Sequence, residues 1–192
     1  IAPLVGNETS AETLARLRAD SDVEFAELDR RVYPHATSND PLATGQWYLT
    51  ASQPSAINAN GAWDTTKGSN GVVIAVVDTG VLFDHPDLQR ASGGGKFLPG
   101  YDFVSADGTN DFSTANDGNG RDSDASDPGD WVTAADDCDD TGDSSWHGTR
   151  VSGIISSLTN NNVGVAGIMW NGYILPVRVI GKCGGFNSDV LA

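Results

Sequence analysis

Sulfur is scarce in this sequence, with two cysteines, Cys138 and Cys183, and one methionine in 192 residues. Two cysteines are too few for a disulfide-stapled miniprotein or a thiolate zinc site. They allow one bridge in an exported protein or two unrelated thiols in a cytosolic one. Positive charge is also scarce: 11 Lys and Arg face 26 Asp and Glu, a net charge of −15. That field repels phosphate backbones and argues against a nucleic-acid partner. No apolar run approaches the ~18 residues of a membrane span. No Gly-x-Gly-x-x-Gly follows the apolar run Val72–Val77, which argues against a dinucleotide enzyme. No internal repeat occurs and no signal peptide opens the chain. Ile1 stands where an initiator Met would be, so the start reads as processed or trimmed.

Glutamate is missing from one long stretch. Between Tyr101 and Trp146 there are 13 Asp, no Glu and a single basic residue, Arg121. Asp mixed with Gly, Ser, Asn and Thr reads as loop. Such a stretch is either a solvated, self-repelling loop or a site for a hard cation. The EF-hand template fails, because Asp117-Gly118-Asn119-Gly120 lacks the required Gly and the distal Glu. What remains is Asp117, Asp122, Asp124, Asp127 and Asp130. Calcium takes roughly 6–8 oxygens, so three or four of these with carbonyls and water would suffice.

What is present is an α/β pattern. With 39% hydrophobic and 19% charged residues, the composition is globular and fits one domain plus a small segment. Residues 10–20 read as a short helix capped by Ser10, and Val23–Leu28 alternates like an edge or half-buried strand. Pro34 to Gly45 is linker chemistry, which places a boundary near residues 33–42. Ile57–Trp63 suits a short helix and Lys67–Gly71 a turn. Val72–Val77 is a continuous β-branched run, as for a strand buried on both faces. From Thr149 to Leu158, Val151, Ile154, Ile155 and Leu158 follow helical spacing. Tyr173–Ile180 is a second strand, whose Pro176 predicts an edge or a bulge. Strand, helix, strand predicts an open parallel sheet.

In such sheets reactive groups gather at the C-terminal ends of strands. Asp78 directly follows Val72–Val77, although Asp-Thr-Gly taken alone is ordinary turn material. His147 sits at the start of the predicted helix, where the dipole favours the neutral ring, the form that accepts a proton. A lone His there more often caps or packs. Together, a strand-end Asp and a helix-start His can meet, the carboxylate fixing the tautomer of the imidazole.

Val76-Val77-Asp78-Thr79-Gly80 and His147-Gly148-Thr149-Arg150-Val151-Ser152-Gly153 resemble the Asp and His motifs of subtilisin-like serine proteases. Asp84-His85-Pro86-Asp87-Leu88, Val165-Ala166-Gly167 and Leu175-Pro176-Val177-Arg178-Val179 are similar to further segments of that family. The order Asp then His is that family's order. One departure is Arg150-Val151-Ser152, where many members carry His-Val-Ala. The resemblance spans about Trp47 to Ala192 and looks most like secreted bacterial members. It implies a parallel-sheet α/β fold and a secreted, extracellular endopeptidase acting on polypeptide substrates through an Asp-His-Ser triad.

Asp22–Asp29 resembles the closing strand of the family's inhibitory propeptide. The resemblance thus implies that residues 1–36 are the C-terminal part of a propeptide, and residues 37–192 the N-terminal part of a catalytic domain. It implies calcium in an Asp-rich loop of this kind. It favours a Cys138–Cys183 bridge, since it implies secretion. It implies that Gly184, Gly185 and Phe186 border extended substrate, although the residues alone equally suit a turn and a helix start capped by Ser188. The family's nucleophile motif, Gly-Thr-Ser-Met-Ala, and its oxyanion Asn do not occur in these 192 residues. The expected partners are polypeptide substrates, the chain's own propeptide and the missing C-terminal half of the catalytic domain, with no nucleic acid and no membrane. Two other readings compete: a calcium-stabilised non-catalytic pseudoenzyme or binding module, and a zinc hydrolase using His85, His147 and Asp78.

Overall fold

The computed structural model describes residues 6–28, 36–136, 138 and 141–192. The chain divides into two compact units, Ile1–Pro34 and His35–Ala192. In the first, helix α1 spans Ser10–Ala19. Its cap is Thr9, one residue before the predicted Ser10, because only Thr9 stands three residues ahead of a glutamate. Thr9 Oγ1 accepts the Glu12 N–H at 3.3 Å, and the Thr9 N–H donates to Glu12 Oε2 at 2.8 Å. This reciprocal capping box satisfies two otherwise orphaned donors. The predicted strand Val23–Leu28 does not form: among the described residues it has no strand partner, Ala26 O accepts from Arg18 Nε at 2.8 Å instead, and Phe25 is 76% exposed. Asp29, the last residue of the propeptide-like segment Asp22–Asp29, and the linker start at Pro34 lie outside the described residues.

The second unit holds a parallel sheet. Strand β1 spans Gly68–Asp78, β2 Tyr101–Asp102 and β3 Asn171–Arg178, in the order β1-β3-β2. Helix α3, His147–Ser156, lies between β2 and β3 in sequence and packs on β1 and β3. From Ile74 onward in β1, and along β3, the even-numbered side chains turn to the core. There Val76, Val81, Leu88, Phe97 and Ile174 are buried together, with Val151 and Ile155 of α3 against them. Each fully buried side chain of this size contributes roughly 1.5–3 kcal/mol. A second cluster gathers Leu49, Ala59 of the short helix α2 (Ala59–Ala62), Trp63 and Ala166.

Four expectations change. β1 is not buried on both faces: Val73 and Val77 are 51% and 50% exposed, because α3 covers only the even-numbered face. The predicted turn at Lys67–Gly71 is instead the start of β1, with an irregular register between Gly68 and Val73. Pro176 lies in the central strand. Ile174 and Arg178 bond toward the 96–103 side, through Ile174 N–H to Lys96 O at 3.0 Å and Phe103 N–H to Arg178 O at 2.7 Å. Pro176 faces that way too, where the ladder with β2 starts only at Tyr101↔Val177, so its missing N–H breaks no rung. Gly100 fills the gap, and a Cβ there would lie 2.1 Å from Pro176 O. Finally, α3 begins at His147, two residues earlier than its apolar pattern. Its buried stripe is small, made of Gly148, Thr149, Ser152, Gly153 and Ser156, while Ile154 is 47% exposed.

Arg178 ends β3 and is 1% exposed. Its Nη1 donates to Asp102 and, at 2.8 Å, to Asp117. Two carboxylates thus compensate a cation that could not stay buried alone.

Candidate active site

β1 delivers Asp78 to its C-terminal end, and α3 delivers His147 as its first residue. His147 Nδ1 lies 2.7 Å from Asp78 Oδ2 and 2.9 Å from Oδ1, across 69 positions of sequence. The Asp78 side chain is 10% exposed and the imidazole 65%. A carboxylate at Nδ1 holds the proton there and leaves Nε2 as the basic, outward nitrogen.

The backbone around the pair is closely fitted. The Thr79 N–H donates to Asp78 Oδ1 at 2.7 Å, and the Gly148 N–H donates to Thr79 Oγ1 at 3.0 Å. The Leu82 N–H reaches Thr149 Oγ1 at 2.9 Å, a further tie between the end of β1 and the start of α3. A Cβ on Gly148 would stand 2.3 Å from Gly80 O and 3.1 Å from Asp78 Oδ1, so only glycine lets the helix come this near. On the other side, Ser145 Oγ accepts the His147 N–H at 3.2 Å and donates to Asp130 Oδ2 at 2.7 Å.

The five aspartates expected to hold calcium are dispersed. Asp117 pairs with Arg178, Asp122 accepts the Asp124 N–H at 2.7 Å, and Asp124 accepts Ser126 Oγ at 2.7 Å. Asp130 holds Ser145, and Asp127 accepts the Thr79 hydroxyl at 2.8 Å and the Gly129 N–H at 2.8 Å. Burial pushes the Asp127 carboxyl above the usual range, against the pull of these two donors. The donors are hard oxygens, the chemistry calcium takes. Yet among the described residues no three acidic, His or Cys side chains gather as a metal cage. The five do not fit one ion together. Nor do His85, His147 and Asp78 gather as a zinc site among the described residues; His85 Nδ1 accepts the Asp87 N–H at 3.2 Å.

Cys138 and Cys183 form a disulfide with Cα atoms 5.6 Å apart. Beside it, Lys182 Nζ donates to Asp136 Oδ1 at 2.6 Å, which, with Thr133, lowers the Asp136 carboxyl to about 2. The bridge ties the acidic loop to the turn carrying Gly184, Gly185 and Phe186. Gly184 exchanges hydrogen bonds with Gly181, and a Cβ on Gly185 would lie 2.3 Å from Val179 O. Phe186 is 50% exposed. Helix α4, Asn187–Val190, is N-capped by Phe186 with no side-chain cap from Ser188. It is anchored by buried Asp189, which accepts from Ser105 Oγ and from Arg121 Nη2 at 2.8 Å.

Sequence reasoning missed Thr79 and Asp127 as supports of the pair. A hydroxyl directly after the strand-end Asp was their one local signal.

Comparison with known proteins gives the chain's relationships. The Subtilase family matches residues 69–192. An extracellular basic protease of Dichelobacter nodosus is 43% identical over 91% of this chain and 28% of its own length. An extracellular protease of Xanthomonas campestris pv. campestris is 44% identical over 96% of the chain and 30% of its own length. The chain therefore spans less than a third of either relative. Among solved structures, a protease from Pseudoalteromonas arctica PAMC 21717 aligns with a TM-score of 0.69 and 49% identity, over 81% of this chain and 42% of that one. The fold is the N-terminal portion of a subtilisin-like α/β fold. With 124 of its 192 residues matched (69 to 192 inclusive), the chain belongs to the subtilase family.

Proposed function

We propose that this chain supplies the Asp and His of a secreted serine endopeptidase, with the nucleophilic serine and the oxyanion donor contributed by residues outside these 192. The observation that carries the reading is the 2.7 Å contact between Asp78 and His147 at a strand end and a helix start. In the assembled enzyme, Nε2 of His147 takes the serine proton as the hydroxyl attacks the peptide carbonyl. Asp78 stabilises the resulting imidazolium, and the same proton then passes to the leaving amine. Gly184, Gly185 and Phe186 border extended substrate, on a turn closed by the hydrogen bonds between Gly181 and Gly184. Residues 1–36 serve as the end of an inhibitory propeptide, and the extracellular relatives support export. Calcium is proposed for the acidic loop as a whole and is assigned no ligand set. A fall in melting temperature in EDTA supports it, and no change in excess chelator ends it.

Ser152 and Ser156 of α3 are fully buried and cannot reach a substrate. The chain alone is therefore expected to leave peptides intact, and to gain activity when combined with the downstream part of the protease. Losing an oxyanion donor alone costs about 10²–10³ in rate in a subtilase. The test is a peptide-hydrolysis assay on the purified chain, alone and mixed with that part. Turnover by the chain alone, abolished by His147→Ala and blocked by a serine-directed phosphonate, would overturn the reading.

A further inference from the structure

Asp127, expected from the sequence to bind a cation, is 4% exposed and fully engaged elsewhere. Its two oxygens take separate donors, Oδ1 the Gly129 N–H and Oδ2 the Thr79 hydroxyl, each at 2.8 Å. Its own N–H donates to Val81 O at 3.1 Å, which joins this part of the acidic loop to the segment after Asp78. Thr79 lies between the two reactive residues. Its N–H donates to Asp78 Oδ1 at 2.7 Å, and its Oγ1 accepts the N–H of Gly148, the neighbour of His147, at 3.0 Å.

A hydroxyl has a single proton. While Asp127 takes that proton in a charge-assisted bond, Oγ1 presents only lone pairs to Gly148. Without Asp127 the hydroxyl is free to rotate and turn its proton toward Asp78 or Gly148. The first turn of α3 would then lose a fixed point, and the imidazole would lose its register on the carboxylate.

We propose that Asp127 is a positioning residue of the Asp78–His147 pair, acting through the Thr79 hydroxyl. This rests on the reading of that pair as two members of a triad. Asp127 touches neither substrate nor the reacting atoms. Its effect is on the geometry of the proton acceptor, and so on kcat more than on KM.

Asp127→Asn is a sharp test, because the two oxygens face two different donors. An amide of the same size must turn its NH2 toward one of them, so the Thr79 hydroxyl is left with a neutral acceptor or with none, and in either case loses its charge-assisted bond. In the complete protease, assayed with a chromogenic tetrapeptide anilide, Asp127→Asn should lower kcat roughly 10-fold with little change in KM. Thr79→Val should give a similar loss, and the double variant should lose no more than the larger single loss, as residues acting in series do. Thr79→Ser keeps the hydroxyl and should restore kcat to within about three-fold of the parent. A parental kcat in Asp127→Asn, losses that multiply in the double variant, or a change in KM alone would overturn the proposal. Should Asp127→Asn fail to fold, the Thr79→Val and Thr79→Ser pair decides: equal kcat in the two refutes it. His147→Ala separates the two levels. Activity that survives it refutes the triad itself. Activity lost there but kept in Asp127→Asn refutes only the positioning role.

Discussion

Gly148 shows how much a single missing side chain decides. Its Cβ position is occupied by Gly80 O at 2.3 Å, with Asp78 Oδ1 at 3.1 Å. An added methyl must push α3 away from β1 and carry His147 with it. Gly148→Ala is therefore expected to destabilise the chain by about 1–3 kcal/mol and to cost the complete protease roughly 100-fold in kcat/KM. Gly153→Ala, one turn along, is the control. Its Cβ would meet only Ser157 Oγ at 3.4 Å and Leu88 Cδ2 at 3.9 Å, ordinary contacts. Removing a mid-helix glycine there should be neutral or stabilise by up to about 1 kcal/mol. Urea unfolding of both variants checks the stabilities, and equal losses would refute the close-approach argument. Asp78 and His147 were legible in the sequence because each stood at the junction of a patterned element. Asp127 was not, being one of 13 Asp in a stretch without periodicity.

Among the elements, the long acidic loop is shaped by its ends more than by its composition. The isolated parallel bridge Val81↔Ser126 returns it to the end of β1, and the disulfide fastens it to the turn after β3. That bridge has a separation of 45, so it closes a loop of 46 residues counting both ends. In the chain-entropy model this stabilises by about 4 kcal/mol. Reduction, or Cys138→Ser with Cys183→Ser, should lower the urea midpoint accordingly. A midpoint unmoved by dithiothreitol, with reduction verified by thiol titration, would show that the Lys182–Asp136 ion pair and the hydrogen bonds of the loop hold the turn unaided. Helix α3 was legible in position and in part of its face, since Val151 and Ile155 do pack on the core. Its apolar residues suggested a stripe through Ile154, whereas the buried stripe consists of its smallest residues. Close approach to β1 selects for small size, which a hydrophobicity pattern does not register.

For the molecule as a whole, stability should depend on pH through Lys96. Its Nζ donates to Ser157 O at 2.6 Å and Met169 O at 2.9 Å, linking the segment before β2 to the end of α3 and the approach to β3. Burial lowers its pKa to about 8 from an ordinary 10.5, against the opposing charges of Asp87 and Asp40. Between these values the unfolded chain holds the proton more firmly than the folded one. Stability contributed by this site therefore rises with pH across that window, and the deficit is full below about 8. The gap between these two values bounds the effect at about 3 kcal/mol. Comparing the parent with Lys96→Met by urea unfolding at pH 7.5 and pH 10 isolates it. The parent should gain on the variant at the higher pH, and a constant difference would refute the assignment.

The class of fold, and the meeting of Asp78 with His147 at the C-terminal ends of the strands, were legible in the sequence. Each depended on local chemistry: a β-branched run ending in Asp78, and a His-Gly pair opening a helix. Tertiary structure alone decided that Pro176 sits in the central strand, because the register of its neighbours determines whether a missing N–H breaks a rung. It alone decided which face of β1 is covered, since that depends on where α3 lies. It also gave Asp127 its place beneath Thr79, across 48 positions of chain. Composition leaves 13 aspartates in that stretch equivalent, and only the path of the loop back to the strand end tells one from another.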